Sequence, residues 1–349
     1  MYYEGYADGE MLELGMKKII LYSLGKKGIE YAEDVIQHAE ILHIRVVALM
    51  DKENSEPKYG YPVYQPEMLK QLVFDYIAVT SLKWYPIIKE ELHNQYGIDY
   101  DKIILWRELL LMDGVPSGFY CSACKNHVPY MNSTGHKSML FENIKIAGGG
   151  IRSNAKCPYC GSVDRNRWVD YVLENKTDIY SDREAKILHF APENIIEDKL
   201  RKGHTNYISA DIRPIADVIE DITAISFGDH EFDYIICNHI MQDVPEEKKA
   251  FEELKRCLKE NGKIVFSVPI CWERDTYEDE KITSPEHRLL AYGQKEHVRL
   301  YGKDLEDRLK EFGFVVTCYR VERELPKKRI EEMRLLSDDT VWILENDKG

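Results

Sequence analysis

The chain lacks an excess of positive charge. Lysine and arginine number 47 against 61 aspartates and glutamates, a formal net charge of −14 over 349 residues. A chain-wide nucleic-acid footprint needs clustered basic side chains to displace counterions, so the charge argues against nucleic acid as a partner of the whole chain. The deficit is uneven: residues 1–112 carry a net −6 and residues 181–349 a net −10. Residues 113–180, with 8 basic and 6 acidic side chains, are slightly basic, and only there is an opening left for RNA. Long apolar runs are missing too, since none reaches the ~20 residues that cross a bilayer. The opening MYYEGYADGE is acidic, unlike a signal peptide. The expectation is a cytoplasmic protein with no membrane span. Cysteine is sparse, and four of the eight (Cys237, Cys257, Cys271, Cys318) fall singly in apolar stretches, as buried thiols do in a reducing compartment. A chain of this length has room for two or three domains and needs no disulfides to hold their cores.

Glycine is absent where an α/β chain often needs it. The stretch KILHFAPENIIEDKL (186–200) reads as a buried strand turning into a helix, with Pro192 in a first-turn position and Glu193 near the helix N-terminus. A dinucleotide-binding turn would be glycine-rich so that the backbone can approach a pyrophosphate. Here the turn is His189-Phe190-Ala191-Pro192-Glu193, with a negative charge where a phosphate would want none. Either this is no cofactor turn, or its cofactor carries no phosphate.

Three segments can be read along the chain. In residues 1–112, KKIILYSL, IRVVALMD, FDYIAVT and KIILW are strand-like. GIEYAEDVIQHAEIL and WYPIIKEELHNQYG have helical spacing, and the alternation implies a small Rossmann-like parallel sheet. Its first turn, Ser23-Leu24-Gly25-Lys26-Lys27-Gly28, keeps two of three fingerprint glycines, and Asp51 ends the second strand where a ribose-binding acid would lie or where a simple turn residue would do. At fold level this segment resembles the small nucleotide-binding-like domains attached to enzymes of bacterial surface-sugar pathways, among them some sugar acetyltransferases. Whether it binds a nucleotide stays open.

Residues 113–180 contain Cys121-Ser122-Ala123-Cys124 and Cys157-Pro158-Tyr159-Cys160, separated by 32 residues. Two such knuckles supply four sulfurs for a closed tetrahedral site, which suits Zn(II) and leaves no open position for chemistry. A zinc-ribbon-like, structural module is expected, with His127 and His136 as ordinary surface residues. Arg165 and Arg167, in the helix that follows, either face a substrate anion or pair with nearby acids; the second reading is favoured.

Residues 181–349 alternate again. NYISAD ends at Asp211, Asp221-Ile222-Thr223 follows, FDYIICN is a strand, and PEEKKAFEELKRCLKENG is an amphipathic helix expected to stop at Asn261-Gly262. KIVFSVPI, EFGFVVTCYRVE and TVWILEND read as further strands. This order resembles the class I S-adenosylmethionine-dependent methyltransferases. The resemblance implies that Asp211 holds the ribose hydroxyls, that Asp221 and Ile222 read the adenine, and that FDYIICNHIMQDVP is the fourth strand and its loop, with Asn238 at the cofactor. S-adenosylmethionine has no phosphate, which accounts for the missing glycines. LHFAPE departs from the family's usual E-x-G-x-G and resembles a variant turn of zinc-knuckle-bearing methyltransferases. His189, Phe190, Ala191, Pro192 and Glu193 are therefore cofactor candidates, Glu193 either orienting the cofactor or complementing the helix N-terminus.

Methyl transfer to a hydroxyl needs positioning and a general base. His239, after the fourth strand, is either that base or a buried histidine bonded to backbone. Asp243 reads as a helix N-cap with Glu246 completing a capping box. Ser284-Pro285-Glu286 opens a short helix that Gly293 ends. In EHVRLYG, His297, Arg299 and Tyr301 alternate and would share one face of an extended segment, a polar wall for an acceptor or a solvated edge. The fold class expected is α/β, two doubly wound Rossmann-like sheets joined by a zinc-ribbon-like module. The leading function is O-methylation of a sugar, nucleotide-sugar or surface-polysaccharide precursor, with a small-molecule or carbohydrate acceptor as partner and homo-oligomerisation left open. The alternatives are an RNA methyltransferase and a non-catalytic binding protein with a decayed methyltransferase fold.

Overall fold

KKIILY carries four apolar side chains in a row and no turn former. In the computed structural model, which describes residues 15–347, it forms β1 (Lys17–Tyr22), the centre of a five-stranded sheet. With β2 (Ile44–Met50), β3 (Val63–Tyr64), β4 (Tyr76–Val79) and β5 (Ile103–Leu105) the order is β3-β2-β1-β4-β5, all parallel. Helices Lys26–Gln37 and Tyr85–Tyr96 make the connections, the second ended by Gly97 at φ +71°. Gly28 is needed for packing, because a Cβ there would lie 2.1 Å from the Ser23 carbonyl oxygen. Asp51 closes the first turn: one carboxylate oxygen accepts the Leu24 amide at 2.6 Å and the other the amides of Glu53 and Asn54 at 2.9 and 3.0 Å. The acidic opening of the chain lies outside the described residues.

Two-residue strands β6 (Phe119–Tyr120) and β7 (His127–Val128) follow. The chain forms two compact units. The first runs to Gly118 and takes in His127–Pro129; the second holds Phe119–Asn126 and the chain from Tyr130 onward, so all four knuckle cysteines belong to the second.

The second unit is built on a seven-stranded sheet. Its members are β10 (Ile187–Phe190), β11 (Tyr207–Asp211), β12 (Val218–Ile219), β13 (Phe232–Asn238), β14 (Leu258–Ser267), β18 (Phe314–Arg320) and β19 (Thr340–Asn346), in the order β12-β11-β10-β13-β14-β19-β18. The first five are parallel and β19 is antiparallel to both its neighbours. Strand residues alternate between two apolar faces: Ile235 and Cys237 join Phe251, Phe266 and Trp342, while Tyr234 and Ile236 join Trp168, Val172 and Leu200. The strand order reverses between β10 and β13, and open α/β sheets bind ligands at the carboxyl ends of the strands flanking such a switch. The expected α/β class with two Rossmann-like sheets is what the structure has, the first sheet parallel throughout and the second parallel up to β14.

Three local expectations are corrected. Helix Glu247–Cys257 stops at Cys257, four residues before Asn261, because Leu258 already pairs with Phe232 in β14. The Asn261-Gly262 pair instead serves a break in register between the Phe232–Leu258 and Tyr234–Lys263 pairings. The N-cap of that helix is Glu246 without a side-chain bond, and Asp243 belongs to a separate turn, Met241–Asp243. The helix after β10 begins at Asn194, so Pro192 lies outside it and Glu193 is its N-cap residue, again without a side-chain cap bond.

Two insertions pack together above the carboxyl ends of the sheet. One lies between the cysteine pairs, with β8 (Asn132–Thr134) antiparallel to β9 (Arg152–Lys156). The other holds β15 (Ile270–Cys271), β16 (Tyr277–Glu278), β17 (Arg299–Gly302) and helix Pro285–Tyr292, which Ser284 caps and Gly293 ends as expected. Ile146, Cys271, Tyr292 and Leu300 form their shared core, and Ala147 bridges Ile270.

Candidate active site

The turn after β10 adopts a glycine-like backbone without glycine. Ala191 sits at φ +44°, and its amide donates to the Ala210 carbonyl at 2.8 Å. Phe190 points into the core. His189 is fully buried between two partners, Tyr207 Oη at 3.0 Å from Nδ1 and Glu193 Oε2 at 2.9 Å from Nε2. Burial drives the Tyr207 phenol well above its ordinary pKa, so it keeps its proton and donates to Nδ1. Nε2–H then donates to Glu193. Glu193 is thereby aimed by His189 and does not cap its helix.

Asp211, at the end of β11, is buried and accepts the Arg213 amide at 2.8 Å and its guanidinium at 3.0 and 3.2 Å. The Arg213 bond holds its carboxyl below the ordinary value. Asp221 accepts the amide and hydroxyl of Thr223, both at 2.8 Å, and the amide bond lowers its pKa. Ile222 is buried beside it. Ile212, directly after Asp211, leaves 71% of its surface exposed.

At the end of β13, Asn238 is buried, its Oδ1 accepting the Ser267 hydroxyl at 2.9 Å while its Nδ2 has no partner. His239 follows at φ +51°, half-buried as a residue, with both ring nitrogens shielded and neither hydrogen-bonded among the described residues. Burial first, then the nearby charges of Arg165 and Arg152, push its pKa well below the ordinary histidine value, so the ring is neutral. Its ring makes no backbone bond among the described residues, unlike the backbone-bonded alternative, while its amide donates to the Ser267 carbonyl at 2.7 Å and its carbonyl accepts from Gln242 Nε2 at 2.7 Å. The glycine run of the first insertion lies against it: a Cβ on Gly148 would stand 3.2 Å from the ring.

The three residues of the EHVRLYG stretch are all buried. His297 Nδ1 donates to the Tyr292 carbonyl at 3.2 Å. Burial pushes its pKa down to about 4, so its 3.7 Å approach to Asp243 is not an ion pair at neutral pH. Arg299 donates to the carbonyls of Met241, Val244 and Pro245 at 2.7, 2.6 and 3.1 Å and pairs with Glu278. Tyr301 donates to Glu247 at 2.5 Å, and Arg308 pairs with the same carboxylate. Arg299 and Tyr301 thus hold the loop after β13 from inside, while His297 comes close enough to His239 to bias its charge.

Other residues gather at the site. Arg152 binds Asp164 at 2.7 Å and the carbonyls of Gly148 and Gly150. Asp339, just before β19, is buried with one oxygen on the Thr340 amide and the other unpaired, and burial raises its pKa to about 7. Gly149, Gly150 and Arg152 also line a cavity of about 400 Å³ together with His136, Phe141 and Lys145.

The four knuckle sulfurs lie within 4.8 Å of one another. A tetrahedron with Zn–S bonds of about 2.3 Å has S–S edges of about 3.8 Å. Cys121 and Cys160 are 3.7 Å apart, so the donor set fits. Each knuckle folds back through an amide-to-Cys carbonyl bond, Lys125 to Cys121 and Gly161 to Cys157, with Lys125 at φ +62° and Gly161 at φ +76°. His127 and His136 are exposed and outside the cluster.

Comparison with known proteins agrees with this anatomy. Residues 159–319 match the family described as methyltransferase domain, and residues 15–104 match the family described as C2185-like, N-terminal. A curated relative, the uncharacterized protein MJ1123 of Methanocaldococcus jannaschii, is 30% identical over 105 residues, which are 30% of this chain and 49% of that protein. The chain therefore spans about half the length of that relative. Among solved structures, the [4+2]-cyclase SpnF is similar over 52% of this chain and 82% of its own, at 14% identity and a TM-score of 0.38. The PH0226 protein of Pyrococcus horikoshii is similar over 53% and 94%, at 17% and 0.35. The CurJ carbon methyltransferase is similar over 52% and 53%, at 14% and 0.34. The methyltransferase-domain match falls within the second unit and covers strands β10 to β14 of its sheet.

Proposed function

We propose that the protein methylates a hydroxyl of a small polar acceptor, a sugar or nucleotide-sugar. The observation that carries this reading is His239, a half-buried neutral imidazole at the carboxyl end of β13 whose two shielded nitrogens have no hydrogen bond among the described residues. S-adenosylmethionine, when bound, supplies an electrophilic methyl group on a sulfonium. The residues fit it: Asp211 offers a carboxylate at the end of β11, Asp221 and Ile222 flank the next loop, and Asn238 keeps an unpaired Nδ2 at the switch point. His239 takes the proton of the acceptor hydroxyl on a free ring nitrogen as that oxygen becomes nucleophilic. Arg299 and Tyr301 fix the loop on which His239 stands. The neighbouring cavity of about 400 Å³, lined in part by Gly149 and Gly150, suits a sugar-sized ligand. The four cysteines would hold Zn(II) in a closed, structural site. Functionally the chain then divides into a front domain (1–112), a zinc bracket (113–180) and the transferase (181–349).

The test is transfer of labelled methyl groups from S-adenosylmethionine to a panel of free sugars, nucleotide-sugars, amines and RNA. Label on a sugar hydroxyl supports the reading. Label only on amines or RNA sinks it.

A further inference from the structure

Three arginines surround the start of the helix after the second knuckle, and two are fully engaged. Arg152 is bound to Asp164 and two carbonyls. Arg167 is buried and donates to the carbonyls of Ala155, Ser162, Met333 and Arg334, at 2.8 to 3.1 Å, so it meets neither an acid nor a ligand. Arg165 differs. Its half-buried guanidinium has no hydrogen bond or ion pair among the described residues. The charges near enough to act on it are Arg152, Glu193, Asp339 and Asp164, and it in turn acts on His239. An unbonded guanidinium among these groups keeps its donors available to a ligand.

Glu193 is the complementary half. His189 pins one of its oxygens at 2.9 Å, and the other takes no hydrogen bond among the described residues. The side chain is only 15% exposed and lies close enough to Cys237, at the end of β13, to affect its thiol. The backbone of this turn cannot take over the task that a glycine-rich turn performs with its amides. Ala191 N–H is committed to Ala210, and Pro192 has no N–H.

We propose that Arg165 and Glu193 form a two-ended receptor for the amino-acid end of S-adenosylmethionine, the guanidinium taking its carboxylate and the free glutamate oxygen its ammonium. Side chains thereby replace the missing glycine-loop amides, and His189 is a positioning residue that aims Glu193. The inference rests on the methyltransferase reading and concerns only how this chain binds the donor.

The experiment is calorimetric titration of S-adenosylhomocysteine and of 5′-methylthioadenosine, which shares the adenosine and thioether but lacks the amino-acid end. Wild type, Arg165→Gln and Glu193→Gln are compared, with melting curves confirming that each is folded. Each substitution is expected to weaken S-adenosylhomocysteine by about tenfold to a hundredfold and to leave 5′-methylthioadenosine within about twofold. Equal losses for both ligands would assign the residues a structural role and overturn the receptor. Undiminished S-adenosylhomocysteine binding in Arg165→Gln would overturn it too, leaving that cation to the acceptor. If wild type binds neither compound, the methyltransferase reading falls and the receptor with it, whereas wild-type binding with unaffected variants removes the receptor alone.

Discussion

His239 and Asp339 show how much a single side chain decides at this site. His239 stands at φ +51°, a conformation that asparagine also tolerates, so His239→Asn keeps the backbone while removing the base. Methyl transfer is expected to fall about a hundredfold to ten-thousandfold, with S-adenosylhomocysteine affinity unchanged by calorimetry. Equal loss of binding and rate would make His239 structural. Asp339 governs stability instead. Its folded pKa, raised to about 7 by burial, lies above that of an unfolded aspartate near 3.8, so the folded state holds the extra proton. Such a group contributes stability below the unfolded pKa and loses it as pH rises through the folded value. Asp339→Asn keeps the acceptor for the Thr340 amide and removes the charge. Without ligand it should be more stable than wild type by about 1–3 kcal/mol at pH 8.5, the gap narrowing as pH falls from 7 toward 4. His297, depressed to about 4 by burial, works in the opposite sense. It stays neutral in the fold while the unfolded ring protonates, so its contribution is lost as pH falls below about 6.5.

Among the elements, the turn after β10 carries the clearest strain. An alanine at φ +44° occupies the left-handed region that glycine enters freely. Ala191→Gly should therefore stabilise the protein by about 0.5–1 kcal/mol in denaturant titration, and a loss instead would show that the Cβ packs usefully. The strands around this turn were legible in the sequence because they are short apolar runs with buried residues on both faces, and Asp211 was placed at a strand end because it closes the run NYISAD. Helix ends were less so. Leu258 continues the apolar spacing of Ala250, Phe251, Leu254 and Cys257, so only its pairing with Phe232 reveals that the strand has begun. Pro192 and Glu193 have the composition of a helix start, yet His189 draws the glutamate side chain back to the strand. The alternation of His297, Arg299 and Tyr301 was correctly seen as extended at Arg299 and Tyr301, but periodicity cannot tell an outward face from one buried under Glu247 and Glu278. The gathering of Arg165, Arg152, Gly148 and His297 around His239 joins residues that are far apart in the chain, which no local pattern records.

For the molecule as a whole, the knuckles are joined to the transferase sheet as one body of the second unit. Cys157 and Cys160 lead into helix Asp164–Lys176, whose Trp168 donates to the Tyr319 carbonyl at 3.1 Å. Ser122, between the first two cysteines, reaches the Arg167 carbonyl, and Arg167 in turn ties Ala155 and Ser162 to Met333 and Arg334. A metal that fixes four sulfurs therefore fixes the base of the helix that presents Arg165, five residues beyond Cys160. Structural zinc contributes its binding free energy directly to the fold around it. Elemental analysis should find one zinc ion per chain. Its removal by a thiol-reactive reagent and chelator should weaken S-adenosylhomocysteine by at least about tenfold and expose the amides of β19 to hydrogen exchange, since both depend on what that helix anchors. A knuckle that served only its own loops would lose its metal and leave cofactor affinity and β19 protection untouched, and that result would separate the zinc bracket from the active site.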